Sequence, residues 1–501
     1  MGPFGAVADD NSWGDLVKLG ALFGELNACL ANQELIRRPS PEQVVRLMEL
    51  ASPTSMGTGR PVGEVIRDAA EILSFRIAVG HHRFYSCVPS PASPISWLGD
   101  TLTTAFNPFG GSLEAGSGVC TIEVALIKWI ADRFGFPTFS SGGHFVSGAS
   151  MANLTALTVA RDQLLDFEDQ TNGDDRPSNG VAYLSSHAHF CIRKALRIIG
   201  LSNRQIRVIN SDANFRMDIG HLQRSISDDL AQGRHPFLII ATCGTTNTGS
   251  IDPLEEIAQI ARSRGMWMHV DAAYGGSVAF SKSHRAKIKG IGLADSIAWD
   301  AHKWLFQTHG CGAVLFREKS HPLKSFASSA QYVRDVEHMA TEEDQNTMLD
   351  PWNYGMELTR PARHMKLWFT LQVLGTDAID RMISSGFHLA KHLETSLRQL
   401  DGWEITSPGS LAILTFRYAP QTRDHITKAE TMPGTFDLLN ELISKELTAR
   451  NVAVIFTTRV LDRVCLRMCM INPNQTTADV DIVVNTLDVV SRECHEALCK
   501  D

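Results

Sequence analysis

Short apolar runs alternate with stretches of helical spacing through the middle of this chain, and that rhythm predicts its architecture. The runs 181–184, 237–241, 266–270, 296–299 and 313–316 read as strands buried on both faces. Helical spacing recurs at 121–134, where Ile122, Ala125, Leu126 and Trp129 share a face. It recurs at 150–165 through Leu154, Leu157, Ala160 and Leu164, and again at 253–264. The alternation predicts an α/β fold with a mainly parallel sheet flanked by helices. Upstream, helices are expected at 39–50, with Ser40 as cap ahead of Pro41, and at 62–79. Residues 80–94, rich in proline and small side chains, read as a loop, as does the acidic stretch 168–180.

Residues 318–360 lack periodicity and carry many charges, the pattern of a mobile catalytic loop. A helix at 362–374 then leads to strands at 411–418 and 452–456 and helices at 436–448 and 479–497. The expected organisation is an N-terminal helical segment (1–100), a large α/β domain (101–375) and a small C-terminal α+β domain (376–501).

Composition changes this picture little. With 501 residues, 44% of them hydrophobic and 20% charged, the chain can bury a large core. A net charge of -8 offers no basic footprint, so nucleic acid is not an expected partner. No apolar run reaches bilayer length, and the first residues carry neither a secretory nor a myristoylation pattern, so a cytoplasmic enzyme without membrane attachment is expected. The ten cysteines form no C-x-x-C pair. Cys465 and Cys469 read as buried small hydrophobes, and Cys494, His495 and Cys499 as a helix surface rather than a metal site.

Candidate chemistry gathers at strand ends. Asp271 follows the run 266–270 and Lys303 closely follows 296–299, which directs an acid and an amine into one crevice beyond the sheet. That is the pair pyridoxal phosphate needs: a lysine for the Schiff base, and a carboxylate that keeps the pyridine nitrogen protonated. Ser147-Gly148-Ala149-Ser150 opens a helix, either as a phosphate site or as an ordinary cap after a glycine turn. His187 and His189 follow the run 181–184, where an imidazole can stack on a flat ring or serve as a structural hydrogen-bonder. Ala273, two residues past Asp271, leaves room for a ring to lie flat.

In these stretches the sequence resembles the pyridoxal-phosphate-dependent group II amino-acid decarboxylases, which act on aromatic amino acids, histidine, glutamate and cysteine sulfinate. The resemblance is carried by His269-Val-Asp271-Ala-Ala-Tyr274, Ala294 to Trp304, Ala241 to Thr246, Asp252, Thr359 to Phe369 and Leu466 to Pro473. It implies a fold-type I enzyme working as a homodimer with its site at the subunit interface. Lys303 would then form the internal aldimine, Asp271 pair with the pyridine nitrogen and His189 stack on the ring. Ala149, Ser150 and His302 would hold the phosphate, with Thr246 in the cofactor's hydrogen-bonding shell. Tyr332 would protonate Cα of the quinonoid after carbon dioxide leaves. The implied reaction converts an L-amino acid to its amine. Rival readings are oxidative deamination to an aldehyde and a non-catalytic binding protein on the same fold.

Two departures from the family pattern stand out. Asp300-Ala301 replaces the usual Asn-Pro before His302-Lys303. Cys87, Val88 and Leu113 stand where aromatic decarboxylases have aromatic residues. Cys87, Val88, Ser90 and Glu114 are therefore the candidate substrate residues, with Glu114 either meeting a cationic group or remaining a solvated loop charge.

Overall fold

A computed structural model of the chain describes residues 34–51, 59–88, 91–165, 179–326, 350–420 and 434–500. The first helices are α1 (Pro41–Ala51), opened by reciprocal Ser40 and Gln43 contacts, and α2 (Val62–Ser74). The helical pattern expected to run to 79 stops at Ser74, because Ile77 turns away to bridge Ile36. Next come α3 (Pro94–Phe106), capped by Ser93, and α4 (Leu113–Phe134), capped by Ser112. Gly135, at φ 83°, closes α4 in the left-handed conformation that a glycine adopts without strain.

The alternating region then unfolds in order. It holds β1 (Gly142–Val146), α5 (Ala149–Leu164), β2 (Gly180–Ser185), α6 (Phe190–Ile198), β3 (Ile206–Ile209), α7 (Ile219–Ala231), β4 (His235–Thr242) and α8 (Leu254–Ser263). It continues through β5 (Trp267–Asp271), β6 (Ser296–Asp300), the single turn α9 (Ala301–Trp304) and β7 (Gly312–Phe316). These seven strands form one sheet in the order β1-β7-β6-β5-β4-β2-β3. Neighbours from β3 to β6 are parallel, and β7 runs antiparallel to both β6 and β1. This is the fold-type I α/β architecture that the apolar runs predicted. β5, β6 and β7 are buried at every residue, which explains why their sequences show no alternation.

The strand β1 escaped the sequence reading. Its Gly142 and Gly143 suppress the strand signal, yet a Cβ at Gly143 would meet the Val314 carbonyl oxygen at 2.1 Å. The inner face of α5 also differs from expectation. Ala152, Asn153, Ala156, Leu157 and Ala160 are buried, while Leu154 and Leu164 are only half-buried. Small side chains let this helix lie close against β5, β6 and β7.

After β7 come α10 (Ser320–Phe326) and α11 (Met365–Leu397). The helix expected to end at 374 continues to Leu397 past a break at Gly375. A second sheet joins β8 (Trp403–Ser410), β9 (Ile413–Tyr418), β10 (Thr457–Val460) and β11 (Arg463–Cys469) in the order β10-β11-β9-β8, with α12 (Thr435–Ala449) and α13 (Thr477–Lys500) as the remaining helices. The strand expected at 452–456 is not one. Only Val454 pairs, in a bridge to Phe84, because the following residues supply β10 instead. Cys465 and Cys469 are buried in β11.

Contacts divide the chain into two compact units. One gathers residues up to Ser86 with Arg423–Thr457 and Asn474–Asp501; the other gathers Cys87–Thr422 and Thr458–Pro473. Both sheets belong to the second unit, apart from the first residue of β10. In the first, α12 packs on α13, and Gln475 Nε2 donates to the His82 carbonyl at 2.9 Å.

A buried ion pair braces the large sheet's edge. Arg360 donates to both Glu123 carboxylate oxygens at 2.6 and 2.8 Å, and to the carbonyls of Phe145 and Gly110. Burial alone would raise the Glu123 pKa, but Arg360 and His364 hold it down at about 2. One guanidinium thereby ties α4, β1 and the turn before α4 together.

Candidate active site

The C-terminal ends of the parallel strands open on a crevice of about 390 Å³, which lies wholly within the second unit. The ends of β1, β2, β4, β5 and β6 contribute. Ser147 to Met151 come from the turn between β1 and α5, His189 and Cys191 from the turn after β2, and Thr242, Gly244 and Thr246 from the end of β4 and the turn that follows. Asp271, Ala273 and Tyr274 follow β5; Asp300, His302 and Lys303 follow β6; Val88 closes one side.

Asp271 is oriented by a chain of buried side chains. Its Oδ1 accepts from the Ala273 N–H at 3.1 Å, and its Oδ2 from Asn153 Nδ2 at 3.3 Å. Asn153 Oδ1 in turn lies 2.7 Å from His269 Nε2, and His269 Nδ1 lies 2.8 Å from Ser296 Oγ. Trp267 Nε1 donates to that same Ser296 oxygen at 2.9 Å. Since Asn153 spends its Nδ2 on Asp271, its Oδ1 accepts from His269 Nε2–H, and Nδ1 of the neutral ring accepts from the Ser296 hydroxyl. Burial pushes the His269 pKa down to about 4, so the imidazole is neutral, as this pattern requires. The relay ends with the amide N–H of Asn153 aimed at the carboxylate. Asp271 therefore acts as an acceptor from within the protein and remains available to a cation on its crevice side.

His189 sits at the N-terminal cap of α6, where its Nδ1 accepts from the Cys191 N–H at 3.3 Å. Burial lowers its pKa and the Lys303 charge adds to this, while Asp271 and Asp300 act in the opposite sense. A neutral ring at this position is suited to stacking. The start of α5 has no side-chain cap. α5 is the longest of the helices that start at the crevice, and the leading N–H groups and dipole of such a helix suit an anion. A Cβ at Gly148 would lie 3.4 Å from His302 Cε1, so the helix start and the imidazole share one small cradle. An aldehyde-bearing pyridine with a phosphate fits this donor set: amine, carboxylate, flat imidazole and anion cradle.

Lys303 Nζ lies 3.4 Å from Asp300 Oδ2, and His302 Nε2 lies 3.6 Å from the same oxygen. His302 is pushed down by burial, with Asp300 raising it. Thr246 is anchored through its carbonyl, which accepts from Arg467 Nε at 2.7 Å.

Of the residues singled out from sequence, Ala149, Ser150, His189, Thr246, Asp271, Ala273, His302, Lys303 and Val88 meet in this one crevice. Cys87 is half-buried beside it without lining it, and Glu114 is exposed on the first turn of α4. Ser90 and Tyr332 lie outside the described residues. Sequence reasoning missed Asn153, Cys191, Thr242 and Tyr274. For Asn153 a signal existed: an amide within a buried face made mostly of alanine and other apolar residues.

Residues 41–419 match the family model described as the pyridoxal-dependent decarboxylase conserved domain. An aromatic-L-amino-acid decarboxylase of Bacillus atrophaeus is 36% identical over 415 residues, 83% of this chain and 82% of its own length. An L-2,4-diaminobutyrate decarboxylase of Rhizobium meliloti (strain 1021) is 30% identical over 443 residues, 88% and 83% of the two chains. Among solved structures, mouse CSAD matches with a TM-score of 0.85 at 26% identity, over 97% of this chain and 99% of its own. The Oryza sativa TDC structure with PLP and tryptamine matches with a TM-score of 0.89 at 23% identity, over 98% and 99%, a likeness of fold.

Proposed function

Because the chain belongs to the pyridoxal-dependent decarboxylase family, and so is a pyridoxal-phosphate-dependent carboxy-lyase of amino acids, we propose that the strand-end crevice is its catalytic site and Lys303 its cofactor-linking residue. The observation that carries this reading is the meeting of Asp271 and Lys303 in one crevice, with the α5 start beside them. When bound, pyridoxal phosphate supplies an aldehyde for amines and a ring that accepts the electrons left when carbon dioxide departs.

The protein's residues do the rest. Asp271, held by Ala273 and Asn153, keeps a proton on the ring nitrogen. His189, its Nδ1 fixed by the Cys191 N–H, would lie against one face of the ring. Ala149, Ser150 and His302 would hold the phosphate, and Lys303 Nζ would be the amine that meets the cofactor's aldehyde. Val88, the one of the four candidate substrate residues that lines the crevice, would meet the substrate side chain. Tyr332 returns the proton at Cα, which makes the product an amine.

The working form is a homodimer. α1 and α2 expose Val45, Met48 and Leu73 at 57%, 70% and 70%, an apolar surface suited to a second copy of the chain. The free cysteines among the described residues fit a reducing, cytoplasmic setting.

The deciding experiment screens the purified, cofactor-loaded protein against the proteinogenic amino acids, dopa and diaminobutyrate, following carbon dioxide, amine, aldehyde and peroxide. Carbon dioxide with matching amine is expected, and peroxide with aldehyde would replace the amine assignment. Lys303→Ala should fold normally yet lose turnover and the visible absorbance of the linked cofactor. Turnover surviving that change would remove Lys303 from the mechanism.

A further inference from the structure

Asp300 puts an acid into a cradle built for an anion. It stands at the cap position of α9, where an aspartate ordinarily accepts from the first helical turn. No such cap forms. Its Oδ2 faces Lys303 Nζ at 3.4 Å and His302 Nε2 at 3.6 Å. Its Oδ1 is buried without a hydrogen-bond partner. That oxygen sits in a slot between two glycines, for a Cβ on Gly312 would lie 2.6 Å from it and one on Gly148 3.7 Å. Gly148 is the residue from which α5 starts, so the unpartnered oxygen borders the place assigned to the cofactor's phosphate.

Two anions in contact at a buried site repel strongly unless a proton or cation lies between them. The cation now beside Asp300 is the Lys303 ammonium, the group that the cofactor's aldehyde engages. The remaining base on the same turn is His302, whose Nδ1 is also buried without a partner. From other elements, His189 and Cys311 face Asp300, and His309 lies beyond His302 with ring centres 5.6 Å apart. Burial pushes His189 toward its neutral form and the Cys311 thiol up to about 12, so neither offers a charge. Lys366, behind Cys311, is engaged by Asp100 at 2.8 Å. Asp271, which also acts on His189, adds further negative charge.

We propose that Asp300 is a positioning residue that makes phosphate binding proton-linked. As the phosphate enters, the Asp300–His302 pair takes up one proton from solvent, and it returns that proton when the cofactor leaves. The phosphate then meets an O–H or an imidazolium N–H where a bare carboxylate stood. Cofactor affinity therefore falls as pH rises. An amide at position 300 offers its own N–H and needs no proton. This inference rests on the site assignment above.

Equilibrium dialysis of the full-length protein with pyridoxal phosphate, from neutral to alkaline pH, tests it. Wild-type affinity should fall more steeply than that of Asp300→Asn, by up to about tenfold more per pH unit, the slope of one proton. The variant should bind more tightly at the alkaline end. Asp300→Ala should share the shallow slope, which covers the case of a poorly folding amide variant. With pyridoxal, which has no phosphate, the slopes of wild type and variants should converge. Parallel slopes for wild type and both variants with pyridoxal phosphate would overturn the proposal. So would an undiminished slope difference with pyridoxal, which would assign the effect to Lys303 alone. A Lys303→Ala protein that kept the wild-type cofactor spectrum would be a different failure, that of the site assignment itself.

Discussion

Asn153 and His269 need touch neither cofactor nor substrate, yet they set the aim of Asp271, the acid assigned to the ring nitrogen. Asn153→Leu removes the N–H that holds Asp271 Oδ2 and leaves His269 Nε2–H without its acceptor. A lost hydrogen bond to a charged group costs about 1.5–3 kcal/mol. Cofactor retention should weaken by about ten- to a hundredfold, with turnover falling in parallel. Spectrophotometric titration of the cofactor would check this; unchanged retention would show that Ala273 alone suffices. Asp271→Asn should be more damaging, because the ring nitrogen then loses its counter-charge. At this scale the sequence was most legible where a polar residue follows an apolar run, as Asp271 and Lys303 do. It was least legible where the functional group lay inside a helix, as Asn153 does, since helical spacing marks a buried face without saying what a buried amide bonds.

The elements meet with little clearance around the cradle. A Cβ on Gly312 would lie 2.7 Å from the Gly148 Cα as well as against Asp300. Gly312→Ala should therefore push β7 and the start of α5 apart, lowering pyridoxal-phosphate affinity by at least about tenfold while costing about 1–3 kcal/mol of stability, as overpacking does. Paired cofactor titration and urea unfolding would separate the two effects; affinity unchanged in a folded variant would show that the helix start does not hold the phosphate. The strands β2, β4, β5 and β6 were readable because burial on both faces leaves mostly apolar residues in them; β3, four residues long, half-buried and carrying Arg207 at the sheet's edge, was not. β1 was not, because its glycines answer to the approach of β7 rather than to strand propensity. The segment 452–456 was misread for the opposite reason: its residues are apolar, but the edge they might have joined is occupied by β10.

Across the whole molecule, buried titratable groups set the acid limit of stability. Burial pushes His144 down to about 3 and His269 to about 4, from an ordinary 6.5. Both stay neutral in the fold while the unfolded chain takes up protons, so stability is lost as pH falls from 6.5 toward 4, by up to about 3 kcal/mol for each. Glu123 acts in a lower window. Its pKa is depressed, so its contribution is intact above 4.5 and lost as pH falls toward 2. Urea midpoints measured between neutral pH and pH 4 should decline, and His144→Gln should flatten part of the slope; a midpoint flat over that range would contradict the buried-neutral assignment. At neutral pH, Arg360→Met should cost about 3–5 kcal/mol, because it strands the Glu123 carboxylate in the interior.

The sheet order has a bearing on biosynthesis. β1 stands at the sheet's edge with β7 as its sole strand neighbour, and α5 rests on strands made after it. At ~5–20 residues per second, roughly 10–30 s of translation separate β1 from the strand that completes it. The nascent chain thus carries half of its cofactor cradle for most of that interval before the other half leaves the ribosome. Capture of pyridoxal phosphate on this account waits until residue 312 has emerged, about three-fifths of the way along the 501-residue chain, and a chain truncated before that residue should be unable to capture it.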